Sequence, residues 1–203
     1  MSVKPILFNT DMVRAILDGR KTMTRRLIKH DVDAILNSPY HKEHPEVEDK
    51  QIISKLCMSP YQPGDILYVR ETWHKYKKRI GKGEGCHIAE FYGYKASIAN
   101  SEDADEPWKP SIHMPKKAAR IWLKVKHVRV ERLHEITAED ALAEGAERYI
   151  HLDGSLDESG TLTQFIGIWN STIKKSDLDR YGWDAKPWVW VIEFERCEKP
   201  ENM

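Results

Sequence analysis

The segment ARIWLKVKHVRVERL, residues 119–133, constrains the fold most. Apolar side chains alternate at Ile121, Leu123 and Val125, then at Val128 and Val130. Period-two alternation of this length specifies a strand with one buried face. The phase changes near His127, which predicts a bulge or bend there. PWVWVIEFER (187–196) reads as a final buried strand. PGDILYVRE (63–71) reads as a turn and then a strand, with Ile66, Tyr68 and Arg70 on one face and Leu67, Val69 and Glu71 on the other. GKGEG (81–85) marks a hairpin tip, CHIAEFYGYKA (86–96) its return strand, and ANSEDADEP (99–107) an acidic loop.

Helical signals flank these strands. TDMVRAILDG (10–19) carries an apolar stripe of Met12, Val13, Ile16 and Leu17, with Thr10 as N-cap and Gly19 just past the end. ITAEDALAEG (136–145) is the clearest helix: Thr137 and Asp140 have capping-box spacing, with Asp in place of Glu, and Gly145 ends it. TLTQFIGIWNSTI (161–173) presents Phe165, Ile168 and Trp169. Residues 30–60 are polar and rich in proline, and read as a surface insertion with one helix near 48–57. Non-adjacent strands with peripheral helices predict one α+β domain on a small, curved, largely antiparallel sheet or barrel.

Composition narrows the class. Apolar residues at 40% and charged residues at 32% fit a globular chain rather than a disordered one. A formal net charge of +0 means that nucleic-acid affinity must come from local basic patches. The longest apolar runs, such as Trp188–Ile192, are too short to span a membrane, and MSVKPILFNT lacks a signal-peptide core. The three cysteines are widely spaced and form no CxxC pair, so the expected compartment is the reducing cytoplasm.

The octet GRKTMTRR (19–26) begins where the first helix stops. It reads in three ways: a solvated basic turn, a phosphate or RNA contact through Arg20, Lys21, Arg25 and Arg26, or a site of general-base or covalent catalysis. The third reading needs a depressed lysine. Bringing Lys21 from about 10.4 to about 7 costs ~4.6 kcal/mol, more than exposed charge crowding supplies, so it requires burial. It also requires a bend, because on a flat strand Lys21 and Thr24 face opposite ways. Glu144 sits in the last turn of its helix, facing the negative end of the dipole; it reads as either a surface glutamate or a functional one.

Two further segments read equally as structural loops or pocket walls. RETWH (70–74) offers Arg70, Glu71 and Trp73, the last able to stack on a base. WKPSIHMPKKAARIW (108–122) offers His113 between two stiffening prolines. His41, Glu43 and His44 are a weak zinc signal with no matching second pair, so neither metal nor cofactor is expected.

GRKTMTRR after a short helix, PGDILYVRETW, and ITAEDALAEG after a long strand together resemble the ASCH domain family, a group within the PUA-like fold. PSIHMPKKAARI and KPWVWVIEFE resemble its longer subgroup, found in bacterial and phage genomes. The resemblance covers nearly the whole chain and implies a small PUA-like β-barrel with flanking helices, one domain over 1–203, with polar insertions at about 30–60 and 74–108. Compact bacterial members include N4-acetylcytidine amidohydrolases. Their lysine, threonine and glutamate match Lys21, Thr24 and Glu144, implying hydrolysis of a linear amide. The alternatives are an RNA-binding module and a metal-independent ribonuclease. The octet departs from the compact pattern by continuing as Arg25–Arg26, and the chain is about twice as long.

Overall fold

The computed structural model describes residues 2–82, 86–97 and 107–200. The molecule is a mixed α+β structure with a five-stranded sheet and a separate two-stranded one. β1 (Val3–Leu7), β2 (Met23–Leu27), β3 (Ile66–Arg70), β6 (Trp122–Arg132) and β7 (Trp188–Cys197) form the larger sheet in the order β1-β3-β6-β7-β2. β4 (Trp73–Ile80) and β5 (His87–Tyr94) form the smaller. The hairpin tip expected at 81–85 and the acidic loop expected at 99–107 lie largely outside the described residues.

β6 and β7 pair antiparallel, and their register shifts between Val125 and His127, where the alternation changes phase. The extra residue restores the apolar rhythm one position later. β7 is buried on both faces, which explains its continuous apolar run. Trp188, Trp190, Ile192 and Phe194 join one core cluster with Phe8, Ile16, Leu67 and Leu123. Val189 and Val191 join the other with Leu133, Phe165 and Trp169.

The helices are α1 (Thr10–Leu17), α2 (Val32–Leu36), α3 (Pro39–Glu43), α4 (Asp49–Leu56), α5 (Ala138–Ala143), α6 (Glu158–Thr172) and α7 (Leu178–Tyr181). Residues 30–60 do more than decorate the surface. Val32 of α2, Ile53 of α4 and Cys57 enter the first core cluster, because short amphipathic helices need only a few apolar anchors to cover a sheet face. Among the described residues, no helix is long and apolar enough to cross a membrane.

β1 and β2 are the sheet's two edges. Among the described residues no ladder joins them, so the sheet stays open where a closed barrel is expected. A side-chain hydrogen bond links the two edges: Arg26 Nη2 on β2 donates to the Leu7 carbonyl at 2.8 Å. Neither β1 nor β2 is legible from alternation. The bonds Phe194 N–H to Thr22 O and Ile28 N–H to Trp188 O orient β2. Thr24 and Arg26 therefore turn their backbone groups toward β7, while Met23 and Arg25 turn theirs toward the open edge.

Candidate active site

Two helix ends build the site. α1 finishes with Gly19 at φ +76°, and the Gly19 and Arg20 N–H groups return to the carbonyls of Ile16 and Ala15. α5 finishes the same way, with Gly145 at φ +94° and the Gly145 and Ala146 N–H groups returning to Leu142 and Ala141. Both are Schellman caps, which need a left-handed residue that glycine adopts without strain. The caps pack together: a Cβ at Gly145 would lie 3.0 Å from Ala15 Cβ and 3.4 Å from Lys21 Cβ. One cap delivers Lys21 and the other Glu144. The turn at Gly19 precedes Lys21, and Lys21 lies before β2 rather than on it, so strand alternation does not fix it opposite Thr24.

Lys21 is 2% exposed and Glu144 7%. The Lys21 amine donates to Glu144 Oε2 at 2.7 Å, to the Glu144 carbonyl at 2.7 Å and to the Met23 carbonyl at 2.8 Å. Three donors meet three acceptors, and one acceptor is the free carbonyl at the C-terminus of α5, where a cation is favoured. Burial holds the Lys21 amine below the ordinary lysine value; the Glu144 carboxylate opposes that shift, and the Arg26 and Arg25 charges add to it. Burial, more than the neighbouring cations considered from sequence, is the main cause.

Arg25 is enclosed by acids. Its guanidinium reaches Asp140 at 2.5 Å, Glu131 at 3.1 Å and Glu144 Oε1 at 3.4 Å. Arg129 joins this network, contacting Glu131 at 2.5 Å and also Glu193. The Thr137 hydroxyl caps α5 by accepting from the Asp140 N–H at 3.1 Å. The Asp140 carboxylate turns to Arg25, where a reciprocal capping bond is expected from sequence. Glu144 is thus held from two sides, by Lys21 on one oxygen and Arg25 on the other.

A groove opens beside this cluster. One pocket, of about 140 Å³, runs between α1 and α6 and is lined by Leu7, Thr24, Arg26, Glu144 and Trp169 among others. A second, of about 430 Å³, shares Asn9, Met12, Glu144 and Ile168 with the first and continues to Arg20 and Gln164. The second alone lies within the ~300–1,000 Å³ typical of small-molecule sites. Thr24 is buried on β2, and among the described residues no hydrogen bond engages its hydroxyl. Asn9, Met12, Ile168 and Trp169 were not candidates from sequence, because apolar stripes on α1 and α6 look like ordinary core faces. Asn9 also caps α1, accepting from Met12 N–H.

Thr24, Arg25, Arg26 and Glu144 line the smaller pocket, Lys21 joins them through Glu144, and Arg20 reaches the rim, donating to the Gly145 carbonyl at 3.3 Å. Arg70, Glu71, Trp73 and His113 belong to another neighbourhood. Arg70 contacts the Ile112 carbonyl, and Glu71 is clamped by Arg120. Trp73 packs with Met114 and Ala118, and His113 is exposed. Arg70 alone of these adjoins the groove wall, opposite Leu7 in the β1–β3 ladder. His41 pairs with Asp49 and His44 with Glu46; among the described residues no group of three or more His, Cys, Asp or Glu could hold a metal.

No family model matches this chain, and no curated protein does. Among solved structures, it is similar to a crystal structure of the hypothetical protein PH0355, at 13% identity and a TM-score of 0.35, over 97% of this chain and 100% of that one.

Proposed function

We propose that this chain is a PUA-like protein of the ASCH family and an amidohydrolase that removes the acyl group from N4-acetylcytidine-type nucleosides. The observation that carries the reading is the buried Lys21–Glu144 pair beside an unengaged threonine hydroxyl on the wall of a groove. A lysine held below its ordinary value can lose its proton where an exposed lysine cannot. Glu144 Oε2, 2.7 Å away, receives that proton and frees the amine lone pair. The amine then takes the Thr24 proton as Oγ1 attacks the acyl carbonyl, forming a C–O bond and an oxyanion. Collapse breaks the C–N bond, and the proton passes to the departing N4 amine. Water then hydrolyses the acyl-threonine, giving acetate and restoring the hydroxyl. Among the described residues no hydrogen bond joins Lys21 to Thr24, and such bonds commonly tighten only in the complex.

The octet's own pairing favours a small substrate over an RNA backbone. Lys21 and Arg25 are already paired with carboxylates and Arg20 with Asp18 at 3.3 Å, which leaves Arg26 as the octet's one cation without a carboxylate at ion-pair distance among the described residues. The test is incubation with N4-acetylcytidine, following cytidine and acetate by chromatography. Turnover by the native chain and none by Lys21→Ala is expected. No release of cytidine, or full release by Lys21→Ala, would reject the reading.

A further inference from the structure

The adjacent arginines of β2 have opposite electrostatic fates. Arg25 faces three carboxylates. Arg26 has none within ion-pair distance among the described residues; its contacts are the Leu7 carbonyl at 2.8 Å and the face of Phe8 at 5.2 Å. Its Nε is buried and has no hydrogen-bond partner. Burial lowers the Arg26 value, yet guanidinium stays protonated at any ordinary pH. Half-burying a cation with no carboxylate at ion-pair distance is costly, and a neutral carbonyl, a ring face and the more distant Glu144 charge compensate only part of that cost. Arg26 also lines the same pocket as Thr24 and Glu144. It stands two residues from Thr24 on one strand, so the two side chains share a face.

We infer that Arg26 is the anion-receiving group of this groove, completed by an anionic oxygen that the ligand brings or develops. The inference rests on the amidohydrolase reading for one source of that oxygen, the oxyanion formed when Thr24 attacks an acyl carbonyl. The other source is a phosphate carried by a nucleotide. The chemistry is shared: a guanidinium donates charged hydrogen bonds to oxygen in a partly dry site.

The test compares native protein, Arg26→Met and Arg26→Lys, each checked for folding by circular dichroism. Arg26→Lys keeps the charge if the shorter variant folds poorly. N4-acetylcytidine and its 5′-monophosphate serve as substrates, and inorganic phosphate as probe. If the oxyanion is the ligand, Arg26→Met lowers kcat for both substrates by about 10²–10³ and changes KM little, and guanidinium salt restores part of the loss. If phosphate is the ligand, KM rises for the monophosphate alone, and inhibition by inorganic phosphate disappears. Should the native chain release no cytidine, the amidohydrolase reading fails while this one is still tested. Phosphate is then titrated against tryptophan fluorescence, with Trp169 on the groove wall as reporter. Saturable quenching lost in Arg26→Met supports the anion site, and none in the native chain overturns it. A folded Arg26→Met indistinguishable from native in kcat, KM and phosphate response also overturns it.

Discussion

Among the described residues two glutamates are buried beside cations, and their partners differ. Glu71, at the end of β3, is 1% exposed and receives both arms of the Arg120 guanidinium at 2.9 Å. Arg120 stacks over Tyr94 at 4.1 Å and donates to Ser97 at 2.6 Å, so its fork is fixed on every side. Glu144 is buried nearly as deeply but faces a lysine, a second arginine and a groove. The difference lies in the cation. A guanidinium does not give up its proton, so the Glu71 pair is a permanent clamp between β3 and the chain entering β6. An amine shifts readily on burial, so the Glu144 pair can move a proton. Under the proposed function, the kind of cation rather than the depth of burial separates a clamp from a reactive pair.

The contrast is most directly broken by exchanging the cations. Lys21→Arg keeps a positive charge against Glu144 but cannot act as a base; activity toward N4-acetylcytidine is expected to fall by about 10²–10⁴ while the melting curve changes far less. Arg120→Met leaves Glu71 buried without its partner. Urea unfolding is expected to register a loss of about 3–5 kcal/mol with little change in kcat per folded molecule. Next comes the joint between the two caps. Gly145→Ala meets both a left-handed backbone and Ala15 Cβ at 3.0 Å, so about 2–3 kcal/mol of stability should be lost, with a drop in activity as Lys21 is displaced. Gly19→Ala, at φ +76° with nothing within 4 Å, carries only the conformational strain, about 1 kcal/mol by the same assay. The smallest effect is a slope. Between the lowered Lys21 value and 10.5 the unfolded chain holds a proton that the native chain does not, so stability rises with pH there. Urea midpoints measured across that window should climb, and Lys21→Met should flatten the climb.

Legibility from sequence followed the physics of each element. β6, α1 and α5 were readable because a single face of each is apolar, β7 because its apolar run is continuous, and the bulge near His127 showed as a change of phase. β2 was not, because MTRRL buries its polar residues through partners far along the chain: Arg25 finds Glu131, Asp140 and Glu144. β1 is short and parallel to β3, so its partner lies about 60 residues away and leaves no local signal. The Lys21–Glu144 contact joins two residues singled out through the resemblance, but their surroundings were not legible. The acids around Arg25 sit on a strand and a helix face that read as solvent-facing. Asp140 offered the one hint, as an aspartate at a capping position that favours glutamate. The groove wall from α6 was hidden because Phe165, Ile168 and Trp169 look like any core stripe.

The most direct measurement is the titration of the Lys21 amine itself, followed by heteronuclear NMR on lysine-labelled protein and assigned with Lys21→Arg. A midpoint below the ordinary lysine value of about 10.4, moving further down in Glu144→Gln as the opposing carboxylate charge is removed, is the expected result. A midpoint at or above 10.4, unmoved by Glu144→Gln, would contradict it and reduce the Lys21–Glu144 pair to a second clamp.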